Sequence, residues 1–259
     1  MLKKQICDFE ILENKKLNHD TFLLLLKYPG DLPTVLPGQF AEVLVENAPH
    51  TFLRRPLSIH DVDYIKNTIT LFIKIAGKGT EKLSHIKKGT LLNIIFPLGN
   101  TFTLLNKKKV LLAGGGCGVA PLFYLARKLY EKKCTIDIVL GAKSSSDILR
   151  SSAYKKFGDV HITTDDGSSG IKGFIIRHPL IKNELHNYDI IYTCGPERMM
   201  QSVASLAKKA GVRCEVSLEN MMACGIGACL CCVTDTQNGH KCVCTDGPVF
   251  NINDLKWQI

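Results

Sequence analysis

The chain has 259 residues, a formal net charge of +9, 45% apolar residues and 22% charged residues. Usage this close to that of ordinary globular proteins excludes a disordered, collagen-like or coiled-coil chain, and a prior of ~150 residues per domain points to two domains with room for a small appendage. The outlying count is cysteine: eleven, six of them at Cys224, Cys229, Cys231, Cys232, Cys242 and Cys244. A disulfide scaffold spreads its cysteines through a short secreted chain, so this crowd is a local device, and in a reducing compartment clustered thiols are metal ligands first.

Met1 to Glu10 carries basic residues but lacks the following apolar run of about 7–15 residues that makes a signal peptide. The longest apolar stretch, Phe22–Leu26, falls far short of the ~20 residues of a spanning helix. A cytoplasmic protein without membrane attachment is expected. The lysines occur in short scattered runs, such as Lys15-Lys16, Lys87-Lys88 and Lys132-Lys133. They form no basic stripe with interleaved aromatics, so nucleic acid is not an expected partner.

Residues 1–105 read as a small antiparallel barrel. Strand-like runs fall at Gln5–Leu12, Thr21–Lys27, Gln39–Val45, Thr68–Ala76 and Leu91–Phe96, separated by turns such as Leu36-Pro37-Gly38 and Lys88-Gly89. A short helix is predicted over Gly79–Ile86. Within this half lies Arg54-Arg55-Pro56-Leu57-Ser58. An arginine three residues before a hydroxyl on an extended strand suits a phosphate and a flavin ring atom. Lys74 and the turn Gly77-Lys78-Gly79-Thr80 follow.

Residues 106–213 alternate strand and helix, the pattern of a parallel α/β domain. Strands are predicted at Lys109–Ala113, Thr135–Leu140, Val160–Thr163 and Asp189–Thr193, with helices beginning at Pro121 and spanning Pro196–Ala210. Gly114-Gly115-Gly116-Cys117-Gly118 joins the first strand to its helix, which lets backbone amides meet a pyrophosphate. The loop is not G-x-G-x-x-G, because Val119 holds the last position. A second turn, Cys194-Gly195-Pro196, follows another strand, and in a parallel sheet both would line one crevice. The Cys194 thiol lies either beside a redox ring or in the core. Acidic Asp165-Asp166 after a further strand would accept ribose hydroxyls and repel a 2′-phosphate, favouring NADH over NADPH.

Residues 214–259 are rich in glycine and cysteine, without helical period. Cys224, Cys229, Cys232 and Cys244 give C-x4-C-x2-C-x11-C, whose leading spacings are those of a plant-type [2Fe–2S] centre. Gly225, Gly227 and Ala228 are small enough to let loop amides approach bridging sulfides. Zinc prefers a C-x2–4-C knuckle at both ends, and Cys242–Cys244 is too short for one. Cys231 and Cys242 stand as rival ligands.

The order R-P-L-S, G-K-G-T, G-G-G-x-G-V-A-P, C-G-P resembles the ferredoxin-reductase-like flavoprotein superfamily over roughly residues 5–213. The tail, Glu219 to Cys229 with Cys244-Thr245-Asp246-Gly247-Pro248, is similar to that of the electron transfer subunits of NAD-dependent (class 1B) dihydroorotate dehydrogenases. The resemblance implies an FAD-binding β-barrel, an α/β parallel-sheet NAD domain and a small [2Fe–2S] domain. FAD would be bound by Arg55, Pro56, Leu57, Ser58, Phe72, Ile73, Lys74, Gly79 and Thr80. Gly114, Gly115, Gly116, Gly118, Cys194, Gly195 and Pro196 would meet NAD, and Cys224, Cys229, Cys232 and Cys244 would hold the cluster. Cys117 and Cys231 depart from the family, which usually has a branched apolar residue and a glycine there. The resemblance also implies an FMN-containing catalytic partner that oxidises dihydroorotate in pyrimidine (UMP) biosynthesis, in a heterotetramer of two copies each. Electrons would pass through the cluster and FAD to NAD⁺, with no side chain needed as a general base. A related reductase subunit, of sulfide dehydrogenase or ferredoxin:NADP reductase type, and a zinc-stabilised binding module are the alternatives.

Overall fold

The computed structural model describes residues 4–46 and 51–257. The chain divides into two compact units, Met1–Thr101 with Glu219–Thr234 and Lys241–Pro248, and Phe102–Leu218 with Asp235–His240 and Val249–Ile259. The residues of the expected third domain are thus shared between the two. The cysteine segments contain few large apolar side chains from which to build a core of their own, and they pack on the barrel.

The first unit is built on a closed barrel of β1 (Gln5–Lys16), β2 (Thr21–Lys27), β3 (Phe40–Val43), β4 (Arg55–Asp63), β5 (Thr68–Lys74) and β6 (Leu91–Leu98). The order is β1-β2-β5-β4-β3-β6, with every pair antiparallel. Closure removes the free edges that would otherwise invite aggregation. Phe9, Ile11, Leu24, Leu26, Leu71 and Phe96 are fully buried, each contributing ~1.5–3 kcal/mol of hydrophobic stabilisation. Phe9 and Phe96 meet edge-on at 4.9 Å. All five expected strands are present. The sixth, β4, begins with the half-buried Arg55-Pro56-Leu57-Ser58, whose polar and proline residues hide the alternation.

Helix α1 (Lys78–Ser84) follows β5. Its end is capped across the fold by Asn14, whose Nδ2 donates to the carbonyls of Leu83, Ser84 and Ile86 at 3.2, 3.1 and 3.0 Å. Leu83 and Ser84 close the last turn, where carbonyls run out of intrahelical donors, and Ile86 follows just beyond it.

The second unit is a seven-stranded sheet of β7 (Lys109–Gly115), β8 (Thr135–Ala142), β9 (Asp159–Thr164), β10 (Ile171–Lys172), β11 (Ile190–Cys194), β12 (Arg213–Ser217) and β15 (Val249–Asn251). The order is β10-β9-β8-β7-β11-β12-β15; all neighbours are parallel except β12–β15. Helices α2 (Val119–Glu131), α3 (Ser151–Tyr154), α4 (Pro179–Lys182) and α5 (Glu197–Lys209) connect the strands, and β13 (Val233–Thr236) and β14 (Gly239–Cys242) form a hairpin. Strand order reverses between β7 and β11, the topological switch point where open α/β sheets take their ligands. Glu215 pins the start of this unit by accepting from the Thr103 amide at 2.9 Å and its hydroxyl at 2.5 Å. Among the described residues no helix is long and apolar enough to cross a membrane.

Candidate redox and nucleotide sites

In the barrel unit a pocket of about 400 Å³ is lined by Thr51, Arg55, Ala76, Gly77, Lys78, Gly79 and Thr80. The two neighbouring arginines divide the work. Arg54 is spent on the scaffold, donating to the Glu42 carbonyl (3.3 Å), the Asn93 carbonyl (3.0 Å) and Asn93 Oδ1 (2.5 Å). Arg55 enters the pocket and runs so close to Gly79 that a Cβ there would lie 2.5 Å from its Nε. The Thr80 hydroxyl accepts from the amides of Ala76 (2.8 Å) and Gly77 (3.2 Å) and donates to the Gly77 carbonyl (3.0 Å), so it shapes the turn. A guanidinium facing an amide-rich turn is a donor set for a phosphate, and the cradle fits the diphosphate of a dinucleotide. Phe72 and Ile73 are buried on β5, while Lys74 is exposed and paired with Asp20 at 3.2 Å.

The cysteine loop packs on the same barrel. Asn100 receives it, donating from its amide to the Gly247 carbonyl (2.5 Å) and from Nδ2 to the Asp246 carbonyl (2.6 Å). Cys224 and Cys229 stand within side-chain hydrogen-bond reach, as do Cys232 and Cys244. Loop amides point at the sulfurs. Ile226 and Cys229 donate to Cys224 Sγ at 3.5 and 3.4 Å, Cys231 to Cys229 Sγ at 3.5 Å, and Cys244 to Cys232 Sγ at 3.4 Å. Burial raises the Cys224 thiol, but the amides of Ile226 and Cys229 and the neighbouring Cys229 side chain outweigh it and bring it to about 6. Burial first, then the adjacent Cys232, pushes Cys244 up to about 12.

Among the described residues no three His, Cys, Asp or Glu side chains gather round a single ion. Cys224 has Cys229 beside it, and Cys232 has both Cys244 and Cys242; two irons would take two protein thiolates each, and amide donors to such sulfurs are what a [2Fe–2S] centre uses. Both rivals are nearby. Cys242 also reaches Cys232, but its amide is locked to Asp246 Oδ2 at 2.9 Å. Cys231 is exposed.

In the α/β unit the two predicted turns end adjacent strands, Cys194 lying opposite Gly114 in register. They touch: a Cβ on Gly118 would land on the Cys194 carbonyl group and the Gly195 nitrogen. Cys194 itself is buried, its thiol donating to the Ser217 carbonyl at 3.4 Å, so this turn offers a ligand its backbone. Gly118→Ala is expected to cost ~1–3 kcal/mol by overpacking. Thermal unfolding measures that cost, and an NADH fluorescence titration should show weaker binding than wild type. The acidic loop after β9 is tied to the loop after β8, since Ser168 Oγ accepts from the Ser145 amide at 2.7 Å.

Two family models match the chain: the iron–sulfur cluster binding domain of dihydroorotate dehydrogenase B over residues 219–256 and the oxidoreductase NAD-binding domain over residues 112–205. The dihydroorotate dehydrogenase B (NAD⁺) electron transfer subunit of Shouchella clausii is 36% identical, with 98% of this chain and 99% of that one covered. The chain belongs to the family of dihydroorotate dehydrogenase B (NAD⁺) electron transfer subunits. The Caldanaerobacter subterraneus subunit of that name is 37% identical over 93% of this chain and 94% of its own. The solved structure of an NADH-dependent reduced ferredoxin–NADP oxidoreductase superposes with a TM-score of 0.87 at 30% identity, covering 96% of this chain and 90% of that one.

Membership in the dihydroorotate dehydrogenase B family makes this an oxidoreductase chain with NAD-binding and iron–sulfur-binding parts. Thr51 and Glu42 escaped the sequence reading, and Asp246, quoted there within the Cys244–Pro248 run, was given no role of its own. Thr51 lines the pocket from just four residues before Arg55, and a lone threonine ahead of the arginine motif carried no signal of its own. Asp246 sets the backbone at Cys242, and the D-G-P run that contains it was a usable signal. Glu42 adjoins the cysteine loop, and nothing in its strand marked it.

Proposed function

We propose that this chain relays electrons from the FMN of a dihydroorotate-oxidising partner to NAD⁺, by way of a [2Fe–2S] cluster and an FAD that it holds. The observation carrying this reading is the cysteine loop, whose amides point at the sulfurs of Cys224, Cys229 and Cys232, on the barrel that also presents Arg55 to a phosphate-sized pocket; we take Cys224, Cys229, Cys232 and Cys244 as the ligands. Bound in these sites, the cluster and flavin supply the exchange between single electrons and electron pairs that a nicotinamide requires.

The residues themselves bind and orient. Arg55 and the Gly77–Thr80 turn take the FAD diphosphate, while Pro56, Leu57 and Ser58 on β4, with Phe72 and Ile73 on β5, flank the rest of the cofactor. Gly114, Gly115, Gly116 and Gly118 with Gly195 and Pro196 present backbone to the NAD diphosphate. Hydrogen bonds from Ser168 hold the Asp166 carboxyl below the usual carboxylate range, so a negative charge stands in that loop and disfavours a 2′-phosphate. We assign the iron-binding tail to residues 214–259, in the cytoplasm, where its thiols stay reduced. In this segment Met221 (84% exposed), Leu230 (63%) and Ile226 (47%) are exposed apolar side chains, suited to burial against the partner in a heterotetramer.

The test is reconstitution. The loaded chain combined anaerobically with a dihydroorotate-oxidising FMN subunit should reduce NAD⁺ when dihydroorotate is added, and NADP⁺ at least about tenfold more slowly, a difference of ~1.4 kcal/mol. The chain alone should not oxidise dihydroorotate. Fully loaded subunits that fail to reduce NAD⁺ would sink the reading. The likeness to the ferredoxin–NADP oxidoreductase favours a second reading, a subunit serving another partner. It predicts that the native complex contains no dihydroorotate-oxidising flavoprotein.

A further inference from the structure

Glu42, on β3 beside the flavin-strand residue Pro56, is 0% exposed, and neither carboxyl oxygen has a hydrogen-bond partner. Buried polar groups in folded proteins are almost always satisfied, and an orphaned carboxyl calls for an explanation. The adjacent cations do not supply one. Arg54 is committed to main-chain carbonyls and Asn93, and Arg55 Nη1 donates to the Arg54 carbonyl at 3.3 Å.

What the carboxyl does face is the cysteine loop. A Cβ on Gly225 would lie 2.6 Å from Glu42 Cγ and 2.9 Å from Oε1. Gly225 has φ +68°, so glycine is favoured there by backbone conformation as well as by space. It directly follows Cys224, the first cysteine of the cluster motif.

We propose that Glu42 is a positioning residue for the iron–sulfur centre, its buried charge setting how readily the centre of the 224–232 loop accepts an electron. This rests on the cluster reading above. Each electron entering the centre adds one negative charge, and a fixed carboxylate in a poorly polarisable interior opposes that addition. Glu42 exchanges no atom. The electron comes from the partner's oxidation of dihydroorotate and leaves towards NAD⁺. The carboxyl is itself sensitive to the same surroundings: burial pushes it up to about 7, with Arg54 and Arg55 pulling down and Cys224 pushing up.

The experiment is an EPR-monitored potentiometric titration of the anaerobically purified, loaded chain as wild type, Glu42→Gln and Glu42→Met. It is run at about pH 8.5, where a carboxyl raised only to neutrality carries its charge. Both variants should show a higher cluster midpoint potential than wild type at equal iron and FAD content. Glu42→Met guards against a defect peculiar to the amide, since apolar replacement of a buried charge is often tolerated. An unchanged midpoint in a loaded variant, or loss of iron from both, overturns the assignment. A wild-type chain without any reduced-cluster signal overturns the cluster reading itself, a result distinguishable from either.

Discussion

Cys232→Ser is expected to abolish the visible absorption and the reduced-state EPR signal of the cluster, whereas Cys231→Ser should retain both. Cys232 is 2% exposed, reaches Cys244, and accepts the Cys244 amide on its sulfur at 3.4 Å. The carbonyl of the same residue accepts from the Val243 amide at 3.0 Å, so backbone and side chain together hold this thiol beside its pair. Cys231 instead gives its amide to Cys229 Sγ and is exposed. An iron held by two protein thiolates has no spare ligand, so removing one should be close to all-or-none. Iron analysis and EPR on both variants decide the matter. Cluster loss in Cys231→Ser with retention in Cys232→Ser would reverse the ligand assignment.

Arg55→Ala should weaken FAD binding by about 10- to 150-fold. Charge-assisted hydrogen bonds contribute ~1.5–3 kcal/mol each, and every ~1.4 kcal/mol is a factor of ten. Arg54→Ala is the discriminating control. Its three hydrogen bonds tie β3 and β6 to the segment entering β4, so it should lower the unfolding free energy by ~1–3 kcal/mol while leaving FAD affinity within about threefold, or ~0.6 kcal/mol. Flavin release followed by fluorescence, alongside denaturant unfolding, separates the two effects. Equal loss of flavin in both variants would show that the pocket is not where the phosphate sits.

Much of the fold was legible because its signals are local. The glycine loop before Pro121 and the turn at Gly195-Pro196 each end a run of buried apolar residues, so strand and helix announce themselves within a few positions. Helix α5 followed its apolar spacing to within a residue at each end. Strand β4 was less legible, because its first four residues are half-buried and serve a pocket, where ligand contact competes with clean alternation. Strand β15 was missed altogether. It is three residues long and exists through its antiparallel pairing with β12, more than thirty residues earlier.

By itself the sequence determined the chemistry available: the cysteine spacing, the arginine–serine strand, two glycine turns at strand ends, and the change from a strand-only first part to alternating strands and helices. Each depends on residue type and near-neighbour spacing, which the chain states directly. Tertiary structure alone decided which of two adjacent arginines faces the pocket, and that the Cys194 thiol turns to β12 rather than outward. It also decided that Cys224 lies beside Cys229 and that Cys232 lies beside both Cys244 and Cys242, and that a buried carboxyl from β3 lies against their loop. These outcomes are set by burial and by hydrogen bonds between residues far apart in the chain, such as Arg54 with Asn93 and Asn100 with Asp246. No local pattern encodes them, because each depends on what the rest of the fold places opposite.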